Sequence, residues 1–294
     1  MIIRFVTVVL IAFGLFNCRS EKIKSTSAYE RIISLSPHMT EILYALGQED
    51  RLVAVSDFCL FPPEAAEKQR IGGFLNPNLE KITMLQPDLI LGVPSHGDLA
   101  KKMESYGWSF VLLPNDRLND VFMSIDSLGR LLGVTQRAQR LNQSLRDSLH
   151  YYSKKAREIS PQKYKAMLVL GREPGGVRQI GVIGRNNFMD SLWVLCGGVN
   201  VFGDLGQKFS QISRETILTR DAQLIIEFKS NGRWDESRLA ANRQEWQGLS
   251  TMAAVRDQAI FVIHGEYALI PGPRMYLLCR DYYEILRRLH NSQG

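Results

Sequence analysis

Cysteine is scarce in this 294-residue chain: there are four, and no two form a Cys-x-x-Cys pair. That excludes a thioredoxin-like redox motif and a zinc ribbon. There is no Gly-x-Ser-x-Gly elbow, no His-Glu-x-x-His pair and no Walker loop, so the common local signatures of hydrolases, zinc peptidases and nucleotide-driven enzymes are missing. The glycine-rich stretch Gly171-Arg-Glu-Pro-Gly-Gly176 contains proline and lacks the dinucleotide fingerprint. No low-complexity segment and no second long apolar run occur, which excludes a protein of several membrane spans. Hydrophobic residues at 45% and charged residues at 22% are those of an ordinary globular chain.

The single apolar run covers residues 2–16, with Arg4 near its start. It is too short for a comfortable membrane span and reads as a signal peptide. It ends in Leu15-Phe16-Asn17-Cys18, which resembles a bacterial lipobox in which Cys18 is lipidated. Asn17 stands where a small residue is usual. Lipidation is the preferred outcome; a cleaved soluble signal and an uncleaved anchor remain open. The expected division is a signal with its lipobox over 1–18 and a polar tether over 19–30, followed by the folded part. Export places the remaining Cys59, Cys196 and Cys279 in an oxidising compartment, with one pair at most.

From residue 31 the spacing predicts alternating strands and helices. Strands are expected at 32–35, 52–56, 71–74, 89–93 and 109–113. Helices are expected from Pro37, with Ser36 as N-cap, to Gly47, and at 79–86, 99–106 and 121–132. From Thr135 to about Ile159 there is neither proline nor glycine, and Leu141, Leu145 and Leu149 recur at every fourth position. That is one amphipathic helix, about 36 Å long at 1.5 Å per residue. Its surplus of bases, with Arg137, Arg140 and Arg146 among them, reads as a solvated face and not as a nucleic-acid surface. Strands then resume at 166–170, 224–228 and 260–264. A loop is expected over 172–184, and helices at 188–196, from 214, at 235–247 and at 275–290.

One phrase occurs twice. Residues 78–90 and 213–225 each place a polar residue two positions before an acid (Glu80, Glu215) and an isoleucine two positions after it (Ile82, Ile217), then run into an apolar strand. A unit used twice implies two similar lobes with a cleft between them. The fold class expected is therefore α/β: an N-terminal lobe over 31–133, a linking helix over 134–160 and a C-terminal lobe over 161–294, with central, mainly parallel sheets. Ligands of such sheets bind beyond the carboxyl ends of the strands. His38, His96 and His264 follow strands, with Glu266 near the last, and Phe58, Phe61, Phe74 and Tyr267 lie near strand ends. The histidines read either as metal or axial ligands or as surface residues with no ligand role. The aromatics would suit a large, flat, partly apolar ligand.

Arg31-Ile-Ile-Ser-Leu-Ser-Pro37 with Thr40-Glu41, Ser56 with Pro62-Pro63, and Asn78-Leu-Glu80 with Gln86-Pro-Asp-Leu-Ile90 resemble the N-lobe of periplasmic vitamin B12-binding proteins. Cys196-Gly-Gly-Val-Asn-Val-Phe202, Ser213-Arg-Glu215 and Pro273-Arg274 resemble their C-lobe. The wider family comprises the solute receptors of ABC importers for cobalamin, iron-siderophores and haem. The resemblance implies two α/β lobes joined by one long helix and a monomer with no catalytic activity. It implies a corrinoid or iron-chelate ligand, a permease dimer with its ATPase as partners, and no nucleic acid. Glu80 and Glu215 would dock on the permease, and Cys196 and Cys279 would form a disulfide. The ligand contacts expected are Phe58, Phe74, Glu266 and Tyr267 around the cleft, with His38 and His96, which like His264 are additions to the family's pattern that keep haem or a metal chelate open. Phe74 stands where tryptophan is usual, Glu266 where aspartate is, Tyr267 where tryptophan is, Val93 where an aromatic is and Ile270 where arginine is.

The preferred expectation is thus a lipid-anchored receptor in the bacterial cell envelope that carries cobalamin as cargo. The alternatives are an iron-siderophore or haem receptor of the same family, and an adhesive or structural lipoprotein that reuses the fold. An enzyme on a related two-lobe scaffold would need cluster-ligating cysteines that are absent.

Overall fold

A computed structural model describes residues 29–293, apart from 174, 175, 178, 231 and 233. The signal segment, Cys18 and the tether to residue 28 lie outside the described residues. The first half alternates strand and helix as the sequence predicts: β1 (Ile32–Ser34), α1 (Pro37–Ala45), β2 (Leu52–Val55), β3 (Gln69–Arg70), α2 (Leu79–Leu85), β4 (Leu89–Gly92), α3 (Gly97–Glu104), β5 (Ser109–Leu112) and α4 (Leu118–Leu131). The five strands form one parallel sheet in the order β3-β2-β1-β4-β5. The strand expected at 71–74 is instead β3, shifted earlier. Gly72 turns the chain at φ +96 just after Ile71, whose N–H still reaches the Val55 carbonyl at 3.1 Å.

The helix α5 (Thr135–Ile159) runs unbroken for 25 residues. Its buried positions, Ala138, Asn142, Leu145, Leu149, Ser153 and Ala156, recur every three or four residues, the stripe of a helix covered along one face. The Asn142 amide donates to the Phe122 carbonyl at 3.1 Å and to Asp126 at 2.8 Å, tying α5 to α4.

The second half comprises β6 (Lys165–Arg172), β7 (Gln179–Ile183), α6 (Phe188–Leu195), β8 (Val199–Asn200), β9 (Phe209–Ser213), α7 (Arg214–Leu218), β10 (Leu224–Lys229), α8 (Glu236–Glu245), α9 (Ala253–Arg256), β11 (Ile260–His264) and α10 (Met275–Gln293). Its sheet has the order β11-β10-β6-β7-β9, with β8 beside the start of β6. The loop expected over 172–184 is therefore in part a strand. β7 folds back antiparallel on β6, and Gly181 lies opposite Gly171 where a Cβ would meet its carbonyl at 3.3 Å.

Side chains alternate across both sheets, as a pleat requires. Ile32, Leu89, Leu91, Leu168, Leu224 and Ile226 join one continuous apolar cluster with α4, α5, α6 and α10. Ile33 and Ile90 face a second cluster on the outer side of the first sheet, and Met167, Val169 and Ile225 a third on the outer side of the second. The two lobes thus share a core along α5, which is packed between α4 and α10.

Candidate functional site

Parallel strands place their carboxyl ends, and the amino ends of the returning helices, on one side of each sheet. On the N-lobe that side begins with Ser36-Pro37-His38 after β1. Ser36 occupies the N-cap position, but its hydroxyl does not cap the helix; it shares a 2.7 Å hydrogen bond with His38 Nδ1. His38 is 2% exposed and its Nε2 has no hydrogen-bond partner. Burial, helped by the proximity of His96, lowers its pKa to about 3, so the ring is neutral at any ordinary pH.

His96 is committed on both sides. Its Nδ1 accepts the Val93 N–H at 3.0 Å, which makes Nε2 the protonated nitrogen, and Nε2 donates to the Phe74 carbonyl at 2.7 Å. The Phe74 ring lies 4.6 Å from the imidazole. Both ring nitrogens are engaged within the protein, and His96 braces the loop after β3 against the end of β4. His264 is exposed at the end of β11, and Tyr267 donates its hydroxyl to Asp281 of α10 at 2.5 Å. Burial, then Asp281, pushes the Tyr267 phenol well up. Both residues line a cavity of about 590 Å³ that runs along the open edge of β11 between α8 and α10. His38 and His96 thus lie near one another while His264 lines this separate cavity, and among the described residues no cluster of His, Cys, Asp or Glu is arranged to hold a metal ion.

What the N-lobe presents instead is apolar. Phe58 is 59% exposed, Leu60 48%, Phe61 37% and Leu75 60%, all on the loops that follow β2 and β3. Exposed side chains of this size grouped on adjoining loops mark an interaction surface.

The lobes meet beneath this rim through a contact the sequence does not signal locally. Arg274 donates from Nε to Glu41 at 3.0 Å and from its terminal nitrogen at 2.6 Å, a two-point bridge between the second lobe and α1. The guanidinium also lies 3.7 Å from the centre of the Phe61 ring. Gly272 fits closely here: a Cβ would come within 3.2 Å of Glu41 and 3.6 Å of His38. Burial pushes the Glu41 carboxyl up by more than Arg274 pulls it down, and the nearby Glu266 adds to the rise. Glu266 is thus near the interlobe contact. A second pair, Lys208 with Asp116 at 2.6 Å, joins the lobes elsewhere.

The end of β6 in the C-lobe is held by charge. Glu227 on β10 is fully buried and receives Arg172 at 3.1 Å, Lys229 at 2.7 Å, the Asn242 amide at 3.2 Å and the Trp246 indole N–H. Arg172 also bonds Asn242 at 2.6 Å and pairs with Glu245. Burial opposes the Glu227 charge, but the two cations and the hydrogen bonds together hold its pKa below the usual carboxylate range.

The repeated phrase takes the same form twice. Asn78 caps α2 through its side chain on the Lys81 N–H at 2.9 Å, and Ser213 caps α7 on the Thr216 N–H at 3.4 Å. Glu80 and Glu215 each occupy the second helical position and are exposed, while Ile82 and Ile217 are fully buried. The Ser213 hydroxyl and the backbone N–H of Glu215 itself hold its carboxyl below its ordinary value, the backbone contact being the larger. Cys196 and Cys279 are buried with their sulfurs 3.3 Å apart and unbonded, and Cys59 is a free buried thiol beside Ser56. No helix among the described residues is long and apolar enough to cross a membrane.

Residues 32–267 match the family model described as periplasmic binding protein. A vitamin B12-binding protein of Vibrio vulnificus (strain YJ016) is 30% identical over 262 residues, covering 87% of this chain and 89% of that one. Its counterpart in Vibrio cholerae is 29% identical over 249 residues, covering 83% and 84%. Among solved structures, the periplasmic vitamin B12 binding protein of Vibrio cholerae superposes with a TM-score of 0.73 at 27% identity, over 88% of this chain and 97% of that one. A periplasmic haem-binding protein from Pseudomonas aeruginosa shares the fold, with a TM-score of 0.73 at 24% identity over 87% and 93%. Two lobes on one long helix, a repeated capped acid and the match over most of the chain converge: the protein belongs to the periplasmic binding protein family, whose members are non-enzymatic transport components.

Proposed function

We propose that this protein is the solute receptor of an ABC importer, capturing cobalamin or a related corrinoid between its lobes and delivering it to the permease dimer and its ATPase. The observation that carries the reading is the apolar rim. Phe58, Leu60, Phe61 and Leu75 stand exposed over the Glu41–Arg274 floor, the kind of surface a large, flat, partly apolar ligand covers. The vitamin B12-binding relatives in Vibrio support the same cargo. Phe58 and Glu266 are the ligand contacts proposed from the expected set, with Phe61 added. His38 borders the floor as a neutral, buried imidazole, and Phe74 backs the rim.

The lobes are residues 31–133 and 161–294, hinged on 134–160. Their shared core along α5 supports modest closure. Glu80 and Glu215 face the permease, where exposed ion pairs of about 0.2–1 kcal/mol each set orientation and encounter rate more than affinity. The receptor works as a monomer in the periplasm, held to a membrane by lipid on Cys18. In that oxidising space Cys196 and Cys279, already in contact, close a disulfide that contributes roughly 4 kcal/mol in the chain-entropy model. Thiol titration of the unfolded exported protein is then expected to find Cys59 alone.

The test of the cargo is calorimetric titration with cyanocobalamin. Saturable 1:1 binding is expected. No binding at tens of micromolar, with binding of haem or a ferric siderophore instead, would transfer the site to an iron chelate.

A further inference from the structure

Both ends of α5 lie at the amino ends of the strands. Its first turn reaches the end of α1, where the Arg137 guanidinium donates to the Leu46 carbonyl at 3.0 Å, and its last turn leads by a short loop into the start of β6. The described chain enters on the same side. Tyr29 lies just before β1, and its carbonyl accepts at 2.9 Å from Arg51, which directly precedes β2. The acids of the repeated phrase lie at the other end. α2 and α7 begin past the carboxyl ends of β3 and β9, and β9 runs with β6 because β7 is antiparallel to both. One end of the molecule therefore carries Glu80 and Glu215, and the opposite end carries α5 and the chain entry.

The outward face of α5 is dominated by one sign of charge. The helix carries Arg137, Arg140, Arg146, Lys154, Lys155 and Arg157 against Asp147 and Glu158, and Lys163 follows it. Arg140, Arg146, Lys154, Arg157 and Lys163 are exposed. Acids beside the strand starts are engaged: Asp88 accepts the N–H groups of Glu30 and Arg31, Glu30 lies 3.7 Å from Arg51, and Asp221 pairs with Lys165 at 2.9 Å. Tyrosines stand among the bases. Tyr151 is 51% exposed, with the Lys155 ammonium 4.7 Å from its ring centre and the Tyr152 ring edge-on at 5.1 Å. Solvation of a helix face asks for neither one sign of charge nor an exposed aromatic between cations. Both suit an anionic lipid surface, where the cations meet headgroup phosphates and the phenol rings sit at headgroup level.

We propose that the outward face of α5 rests on the anionic surface of the membrane that holds the anchor, with Glu80 and Glu215 turned away from it. The receptor must then lift off this face before those acids can meet a partner in the same membrane. The inference rests on the proposed lipid at Cys18 for proximity. The stretch from Cys18 to Tyr29 spans at most about 40 Å even fully extended, so an anchored chain keeps its entry end, and α5 on the same side, within reach of the headgroups. The bases and tyrosines supply the contact itself and act with or without the lipid; the anchor raises their effective concentration at the surface.

The test is lysine footprinting of the exported, lipidated chain in nanodiscs of phosphatidylcholine, either alone or with about 30% phosphatidylglycerol. An amine-acetylating reagent is added and the modified lysines are read by mass spectrometry. In the anionic discs Lys154, Lys155 and Lys163 are expected to react about threefold more slowly than in the neutral discs, and Lys81, beside Glu80, at the same rate in both. About 0.5 M NaCl should remove the protection, because it screens exposed charge. Arg140→Gln/Lys154→Gln/Lys163→Gln should restore the neutral-disc rate at Lys155 while thermal midpoint and cyanocobalamin affinity stay parental. Equal rates at Lys155 in both discs, or protection at Lys81 in place of Lys155, would overturn the proposal. If the mass of the exported chain shows no lipid on Cys18, the anchor reading fails by itself. That chain, added to vesicles of the same two compositions, should still show protection at Lys155, and its absence there would overturn the lipid-facing role of α5 as well.

Discussion

The two lobes share one strand order and differ in one strand's direction. Read from the repeat-bearing edge, the first sheet runs β3-β2-β1-β4-β5 and the second β9-β7-β6-β10-β11. Position for position they match, except that β7 is antiparallel where β2 is parallel. A parallel neighbour requires a crossover, so the N-lobe inserts α1 between β1 and β2 and brings a helix start, with His38 and Glu41, to the cleft. An antiparallel neighbour requires only a short loop. In the C-lobe the end of β6 is anchored by the buried Arg172–Glu227 pair. One lobe offers an apolar rim and the other a strand end fixed by charge, while the acids of the repeated phrase are presented alike by both.

The largest effect should come from the charge that holds the C-lobe. Glu227→Ala leaves Arg172 and Lys229 without their buried partner and should cost about 3–5 kcal/mol in urea unfolding. Glu41→Ala, whose partner Arg274 is 16% exposed, should cost less, about 1.5–3 kcal/mol. A reversed order would mean that the interlobe bridge, not the C-lobe network, is the main electrostatic support.

The repeat itself is broken at its isoleucines. Ile82→Ala and Ile217→Ala remove equivalent buried side chains and should each cost about 2–5 kcal/mol. Costs within about 1 kcal/mol of each other would confirm the equivalence; a neutral effect at either site would contradict it.

Acid should weaken the N-lobe first. His38, with its pKa lowered to about 3, refuses a proton that the unfolded chain takes up near 6.5. The unfolded state thus binds more protons, and this stability is fully present above 6.5 and lost as pH falls towards 3. His96 has the same sign, and Glu41, with its raised pKa, the opposite sign in a window above 4.5. Glu227, with its lowered pKa, begins to count only below its ordinary 4.5. Between pH 7.5 and 5.5 the protein should lose about 1.4 kcal/mol, the equivalent of one pH unit on His38, and His38→Leu should lose less than half as much. Equal losses in urea midpoints would remove His38 from the account.

Smallest is the contribution of one rim residue. Phe58→Ala should weaken cyanocobalamin binding by about 0.5–1.5 kcal/mol with no change in stability, as expected for an exposed aromatic that stacks on a ligand. Unchanged affinity would move the site off the N-lobe rim.

Much of the fold was legible because it rests on local periodicity. The leucine stripe of α5 lacked any helix breaker, and β11 was a plain apolar run, so both fall where the sequence places them. β7 and β9 were hidden for a physical reason. β9 is an edge strand with alternate exposed and half-covered residues and no apolar run, and β7 lies within residues 172–184, which follow the glycine-rich stretch and read as a loop. The candidate site was less legible than the fold. Glu41 and Arg274 are 233 residues apart, and no local pattern joins them. His96 and Tyr267 lie near strand ends, as site residues do, but their polar atoms were already taken by Val93, Phe74 and Asp281. Position after a strand predicts nearness to a cleft, not a free functional group.

The measurement that bears most directly on the account is calorimetric titration of cyanocobalamin into the parent, Phe58→Ala and the Glu80→Ala/Glu215→Ala double variant. The account predicts 1:1 binding in the parent, weaker binding in Phe58→Ala and parental affinity in the double variant, because the rim holds the cargo and the acids face elsewhere. Loss of cobalamin affinity in the double variant, or none in the parent alongside tight binding of haem or a ferric siderophore, would contradict it.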